Sequence, residues 1–485
     1  MTLTAAWAER WHDDPSRVVL VDAADGRGLT AAQLDAATAG AAAALHRLGV
    51  GARDRVLLSC GPGVATVVAY VGILRLGAVV VPANTAYTSA ELEHIVGDVR
   101  PAAAVVDDVT RVPPGPVAVT AESLLGEGGE VVGLLDRSGS DDLAMIAFTS
   151  GTTGRPKGAM LDHGNLLAGA QALVTAWEWT ADDRLLHALP MFHMHGLGAG
   201  INGSLTAGAS MVVLPRFAPD AVVDAVAAYA PTMFFGVPTM YALMREAGRL
   251  PGLAGLRLLV SGSAPLDPAL FADVAAQAGQ PPVERYGMSE TVMLVSNPVR
   301  GERRAGSVGL PLPGVQVRLG EAGGVEVMGR TVFRGYWERP DATAEAFTED
   351  GWFRTGDIGE LDDDGYLRLV GRASDLIITA GYNVYPREVE DVVRDHPAVL
   401  DVAVVGLPDA TWGETVAAFV VLRPDGADVA REELEQGLAA LVEGRLAAYK
   451  RPRRWVVVDE LPRNAMGKVR RDVLRDSVHD RGEGG

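Results

Sequence analysis

The decapeptide "TSGTTGRPKG", Thr149 to Gly158, sets the hydroxyls of Thr149, Ser150, Thr152 and Thr153 and the cations Arg155 and Lys157 among Gly151, Gly154, Pro156 and Gly158. Glycines let a backbone curl until its N–H groups converge, hydroxyls add donors, and Lys157 adds charge. That set suits a phosphate. It is not a Walker loop, because Gly158 follows Lys157 where Ser or Thr is required. A solvated polar loop has the same composition, so the string by itself leaves both readings open. In "LPMFHMHG", His193 and His195 stand two apart, but no third ligand follows at a metal-binding spacing. The single cysteine, Cys60 in "LLSCGPG", can form neither an internal disulfide nor a cysteine-based metal site. It reads as the end of a buried strand rather than as a nucleophile.

The elements that must position these residues alternate along the chain. Apolar, β-branched runs ("RVLLSC", "AVVVPA", "LAMIAFTS", "SMVVLP", "TMFFGV", "LRLLVSG") predict strands, and Ala- and Leu-rich stretches such as "PDAVVDAVAAYA" predict helices between them. The pattern predicts an α/β protein with largely parallel sheets. "LAMIAF" places the Thr149–Gly158 loop at a strand end, where such sheets hold ligands. Near residue 371 the texture changes, and a second α+β unit with a helix around "REELEQGLAALVEGRLA" follows. The division predicted is a large N-terminal domain of layered sheets and helices over 1–371, a hinge over 372–375, and a small, mobile α+β domain over 376–485. A chain of 485 residues is too long for one core.

The chain carries 43 basic and 62 acidic residues, a net charge of −19, which argues against a nucleic-acid binder. The N-terminus lacks the basic start and apolar run of a signal peptide. Residues 63–84 are apolar enough to suggest a membrane span, but Arg75 and Gly77 split them into a helix and a Val-rich strand. A cytoplasmic protein without membrane insertion is expected. Against the acidic background, Tyr449–Arg475 holds nine Lys/Arg and three Asp/Glu, a solvated face or a unit that brings positive charge to phosphates.

The whole decapeptide resembles the phosphate loop of the adenylate-forming superfamily, which includes acyl-CoA synthetases, luciferase and peptide-synthetase adenylation domains. The resemblance continues in order over essentially the entire chain. It implies that Thr149, Ser150, Gly151, Thr152, Thr153, Gly154 and Lys157 bind ATP. In "VSGSAPL", Gly262, Ser263 and Ala264 would flank adenine. In "ERYGMSE", Tyr286 would stack on adenine beside Gly287 and Met288, Ser289 would contact the α-phosphate, and Glu290 would hold Mg2+. A carboxylate beside a triphosphate makes sense only with a bridging cation. Asp357 in "RTGD" and Arg372 in "GRASD" would take the ribose. His193 would border the acid, and Lys468 in "PRNAMGKVRR" would be the mobile catalytic lysine.

The reaction implied is attack of a carboxylate on the α-phosphate of ATP, then transfer of the acyl group to CoA after the small domain rotates about Ser374. Gly381 and Tyr382 in "ITAGYNVYP", with Lys450 and Arg451, would meet CoA. As to the acid, "ERYGMSET", "FHMHGL" and "FGVPTMY" (with Gly236) are most similar to malonyl-CoA synthetases, and Arg285 would then grip a second carboxylate. Alternatively Arg285 pairs with Glu284 or Glu290. Malonyl-CoA synthetases carry a second basic residue where this chain has Leu243, and Arg245 should point about 200° away on a helix. A short- or medium-chain monocarboxylic acid, or an amine acceptor in place of CoA, therefore stays open. The partners expected are a small carboxylic acid, ATP, Mg2+ and CoA.

Overall fold

A computed structural model describes residues 1–125, 133, 135–149, 156–409, 411–424, 431–463 and 469–479. The phosphate-loop residues Ser150, Gly151, Thr152, Thr153 and Gly154, and the lysine Lys468, lie outside the described residues. Two large sheets carry the N-terminal region. One has six strands in the order 117–120, 103–106, 55–59, 79–82, 143–149 and 157–162. Its neighbours are parallel except the last pair, which closes as an antiparallel hairpin with Thr149 opposite Lys157. The decapeptide thus spans a hairpin, and its return strand is Lys157–Asp162.

The other sheet has nine strands, running 310–311, 295–296, 283–286, 258–261, 233–236, 184–187, 210–213, 18–22 and 28–30. Its interior is parallel. The strands 184–187, 233–236, 258–261 and 283–286 therefore end on one edge, delivering His187, Gly236, Ser261 and Tyr286 side by side. The carboxyl edge of a parallel sheet is where α/β proteins gather ligands. These strands are four residues long, and Met233–Gly236 and Leu258–Ser261 are wholly buried, which explains their continuous rather than alternating apolar pattern. An antiparallel four-stranded sheet (315–319, 324–329, 353–361, 367–372) follows and pairs Asp357 with Arg372 across two strands.

The stretch 63–84 folds as the helix Val64–Arg75 and the strand Val79–Pro82. Among the described residues no helix is long and apolar enough to cross a membrane. Arg75 ends that helix buried, between Asp35 at 2.6 Å and Asp136 at 3.1 Å. Cys60 is buried, donates to the Val105 carbonyl at 3.4 Å, and burial pushes its thiol up, so it is no nucleophile.

The main apolar core gathers side chains from Leu3 to Leu367, whereas two separate clusters, from Ile377 to Val442 and from Ala403 to Val478, build the C-terminal region around the sheet of strands 377–379, 382–384, 399–409, 413–422 and 454–457. The short turn Ala373–Asp375 joins the two regions. Arg471, on the last helix, binds Asp375 at 3.4 Å, Glu390 at 2.6 Å and the Val404 carbonyl at 3.2 Å.

Candidate active site

Successive side chains of a strand face opposite ways, and the short strand Val283–Tyr286 uses this to separate three functions. Glu284 turns to the loop after the neighbouring strand, where its Oε1 accepts the Leu266 N–H at 3.2 Å and its Oε2 has no partner. Arg285 faces the other way. Its guanidinium lies against Gly262, where a Cβ would stand 2.4 Å from Nε, so any other residue there would displace the guanidinium. Arg285 is 5% exposed, and its Nη2 donates to Ser263 Oγ at 3.4 Å while Nε has no partner. Neither Glu284 nor Glu290 pairs with it, and among the described residues it makes no ion pair at all. Burial lowers its pKa to about 9, an unusual value for an arginine and a mark of an unmet charge.

His193 and His195 lie beside that charge. Burial first, and Arg285 second, lower His193 to about 4 and His195 well below its ordinary value, so both imidazoles are neutral at pH 7. They form no metal cluster; among the described residues there is none anywhere. Arg245 does not join this cluster but pairs with Asp273 at 3.1 Å, and Leu243 is exposed.

Tyr286, at the strand end, donates its hydroxyl to Asp357 Oδ2 at 2.5 Å, and Arg372 Nε sits 3.0 Å from Oδ1. Burial works against Arg372, but Asp357, Tyr286 and Glu290 together hold its pKa up. Glu290 is almost fully buried and accepts the Tyr336 hydroxyl at 3.0 Å. Lys157 Nζ lies 5.3 Å from the Tyr336 ring centre, and Thr149 Oγ1 donates to the Lys157 carbonyl at 3.4 Å. The described ends of the phosphate loop thus converge through Tyr336 on Glu290. Gly287 is packed against the Val292 carbonyl, and Met288 donates its N–H to Thr291 Oγ1 at 3.4 Å, which fixes the turn carrying Ser289.

The residues expected to meet CoA lie in the C-terminal region. Gly381 (φ +80°) turns the hairpin between Ile377–Thr379 and Tyr382–Val384, and the exposed Tyr382 ring stacks on Tyr449 at 4.6 Å. Lys450 is bound by Glu388 at 2.5 Å, and Arg451 by Glu443 at 3.3 Å and the Leu446 carbonyl at 2.9 Å. In this arrangement they are neutralised rather than offered to phosphates.

Sequence reasoning did not single out Tyr336 or His195 as site residues. Tyr336 lies 46 positions from Glu290 and no motif signals it. His195 shares its motif with His193, and its pairing could have been sought.

One consequence concerns stability. Burial raises Glu284 to about 7, well above the roughly 4.3 of an unfolded glutamate. The native state then holds a proton that the unfolded state has released, so stability falls as pH rises through about 4.5 to 7 and stays low above it. Glu284→Gln should lose about 2–3 kcal/mol less than wild type between about pH 5 and pH 8 in urea melts. Equal losses would show that Glu284 does not titrate abnormally.

A family model described as "AMP-binding enzyme" matches residues 7–337, and one described as "AMP-binding enzyme C-terminal domain" matches 388–468. The mitochondrial malonate–CoA ligase of Bos taurus is 36% identical, covering 88% of this chain and 82% of its own. A feruloyl-CoA synthase of Amycolatopsis is 37% identical over 93% and 94% of the two chains. MatB from Rhodopseudomonas palustris is 38% identical with 99% of each chain covered. It superposes with a TM-score of 0.91 in its ATP-bound crystal structure and 0.78 in its apo one.

Proposed function

Because this chain belongs to the family of AMP-binding enzymes, we propose that it is an AMP-forming acyl-CoA synthetase whose acid is malonate or a close dicarboxylate such as methylmalonate. Relatives named as CoA ligases support the acid–thiol ligase activity, and likeness to ATP-bound MatB supports ATP as the activating substrate. Identity does not choose the acid, since the malonate and feruloyl ligases match equally well. The observation that carries the choice is Arg285, a buried guanidinium with no carboxylate of its own among the described residues. A second carboxylate on the substrate supplies what the protein withholds.

In the first step the acid's reacting carboxylate attacks the α-phosphorus. A carboxyl–phosphate bond forms, and the bond to pyrophosphate breaks. The acid is its own nucleophile, so the protein's work is to press two anions together. Arg285 holds the distal carboxylate, neutral His193 borders the chain between the carboxylates without competing for charge, and Lys468 balances charge between acid and α-phosphate. Tyr286 and the Asp357–Arg372 pair hold the nucleoside. The Thr149–Gly158 loop, with Lys157, holds the β- and γ-phosphates.

Glu290 fits a magnesium ion carried in with the triphosphate: burial raises its pKa, and its side-chain partner is a hydroxyl, not a cation. Such an ion, when bound, supplies positive charge to the phosphate oxygens. In the second step the CoA thiolate attacks the acyl carbonyl and AMP leaves. Residues 372–375, which hold the short turn Ala373–Asp375, are the proposed hinge between residues 1–371 and 376–485 for the rotation between steps, bringing Gly381 and Tyr382 to the acyl group. Lys450 and Arg451 must exchange Glu388 and Glu443 for CoA phosphates as it turns.

The test is to incubate purified protein with ATP, Mg2+ and CoA plus malonate, methylmalonate, acetate, butyrate, octanoate or benzoate, and to resolve the acyl-CoA products by mass. Malonyl- and methylmalonyl-CoA are expected to dominate. Dominant butyryl- or octanoyl-CoA, in keeping with Leu243 where a second cation is missing, would overturn the dicarboxylate reading. AMP release without any acyl-CoA would overturn CoA as acceptor and point to an amine.

A further inference from the structure

Ser263 follows the strand Leu258–Ser261 with φ +72°, a backbone conformation that non-glycine residues seldom adopt and that concentrates at functional sites. The strain sets its hydroxyl between two groups far apart in sequence. Arg285 Nη2 is 3.4 Å from Ser263 Oγ, and His195 Nδ1 is also 3.4 Å from it. A serine hydroxyl has one proton to give. Since Arg285 can only donate, Ser263 accepts from it, and its own proton is then available to His195 Nδ1 when that nitrogen is bare. The order Arg285→Ser263→His195 requires a neutral imidazole with its proton on Nε2.

The surroundings meet that requirement. His195 is 3% exposed, its ring stacks on Phe235 at 6.1 Å and 20°, and its Nε2 has no acceptor. The next imidazole, His187, is fully buried with both nitrogens unpartnered, and no carboxylate is near enough to stabilise an imidazolium. Charging His195 would put a second cation beside Arg285 and reverse the hydroxyl. Ser263 is exposed, and Gly262 leaves the space in which the guanidinium lies.

We propose that His195 is a positioning residue that acts through Ser263 to hold the Arg285 guanidinium in the orientation that receives the acid. The proposal rests on the reading of Arg285 as the acid clamp. It explains why a serine is kept where glycine would be relaxed, and why a histidine is buried with one nitrogen idle. Both lengths, at 3.4 Å, are those of a clamp before a carboxylate draws it tight.

The test is a double-mutant cycle, using the acid that the wild-type enzyme turns over best. KM for acid and for ATP are measured for Arg285→Ala, His195→Phe, Ser263→Gly, and each of the last two combined with Arg285→Ala. His195→Phe keeps the stack on Phe235 without Nδ1. Ser263→Gly relieves the backbone while removing the hydroxyl, so a loss there cannot be a folding defect. His195→Phe and Ser263→Gly are each expected to raise KM for acid about tenfold, Arg285→Ala by more, and all three by a larger factor than KM for ATP. In the Arg285→Ala background neither should raise it further.

If Arg285→Ala impairs the acid while His195→Phe and Ser263→Gly do not, or if their effects add to it, the positioning role is overturned and the clamp stands. A larger rise in KM for ATP than for acid in Ser263→Gly would also overturn it, making Ser263 a nucleotide contact. If Arg285→Ala leaves KM for acid unchanged, the clamp reading fails and the positioning role falls with it.

Discussion

Arg285→Ala is expected to lower kcat/KM for malonate by on the order of 10²–10³ while leaving butyrate turnover equal or improved. The magnitude follows from desolvation. A carboxylate delivered to a buried guanidinium that has no other ion pair gains an interaction barely screened by solvent, and removing one partner of such a pair costs about 2–5 kcal/mol. The improvement for a monoacid follows from the same isolation, because a methyl group beside the charge meets a penalty that alanine removes. The variant has a second, opposite effect. With its pKa depressed to about 9, the arginine is charged at pH 7 at a cost to the folded state, and that cost persists at all pH values below 9. An apolar residue of similar length should therefore stabilise the free protein. Arg285→Met is expected to raise the melting temperature by about 2 °C or more while losing malonate activity. A variant that loses both stability and activity would mean that Arg285 props the fold instead of waiting for a ligand.

The other large effect is expected at Lys468. Lys468→Ala should slow ATP–pyrophosphate exchange by about 10³-fold, the size of losing one preorganised charge at a developing anion. Transfer to CoA from a chemically made acyl-adenylate should change by less than about threefold, because the two anions no longer need to be joined. The base of the segment that carries Lys468 is well defined. Arg463 bridges Val469, Arg470 N–H donates to the Pro462 carbonyl at 2.7 Å, and Arg463 pairs with Asp401 at 2.5 Å. An equal fall in both half-reactions would indicate damage to the C-terminal fold instead of loss of the adenylation cation.

The β-branched runs were enough to place the strands that end at Gly236 and Ser261, because buried parallel strands write a continuous apolar signal, whereas RLLH ending at His187 and VERY ending at Tyr286 carry charged residues and gave no such run. The resemblance then assigned roles along them. Pairing of Arg285 with Glu284 or Glu290 is open from the local sequence, yet strand alternation already points Glu284 to the opposite face, and a carboxylate one residue away cannot turn round. What no local pattern reveals is closure between distant segments. The Tyr336 hydroxyl reaches Glu290 across 46 positions, and Glu388 takes Lys450 across 62. The first completes a site that the motif showed only in part. The second occupies a cation that the sequence, rich in Lys and Arg around it, offers as open.

Arg471, tied at once to Glu390, Asp375 and the Val404 carbonyl, has a mechanical meaning for the proposed hinge. It welds the residue just after the pivot to the C-terminal sheet and its helices. On the other side, Arg372 is fastened to Asp357 and its strand is laddered to 353–361. Between Arg372 and Asp375 lie two residues, Ala373 and Ser374, and four backbone torsions in all. A joint with so few degrees of freedom steers as well as bends. If the C-terminal region turns about it as proposed, such a joint would confine the turn to a narrow arc, a track with little room to wander.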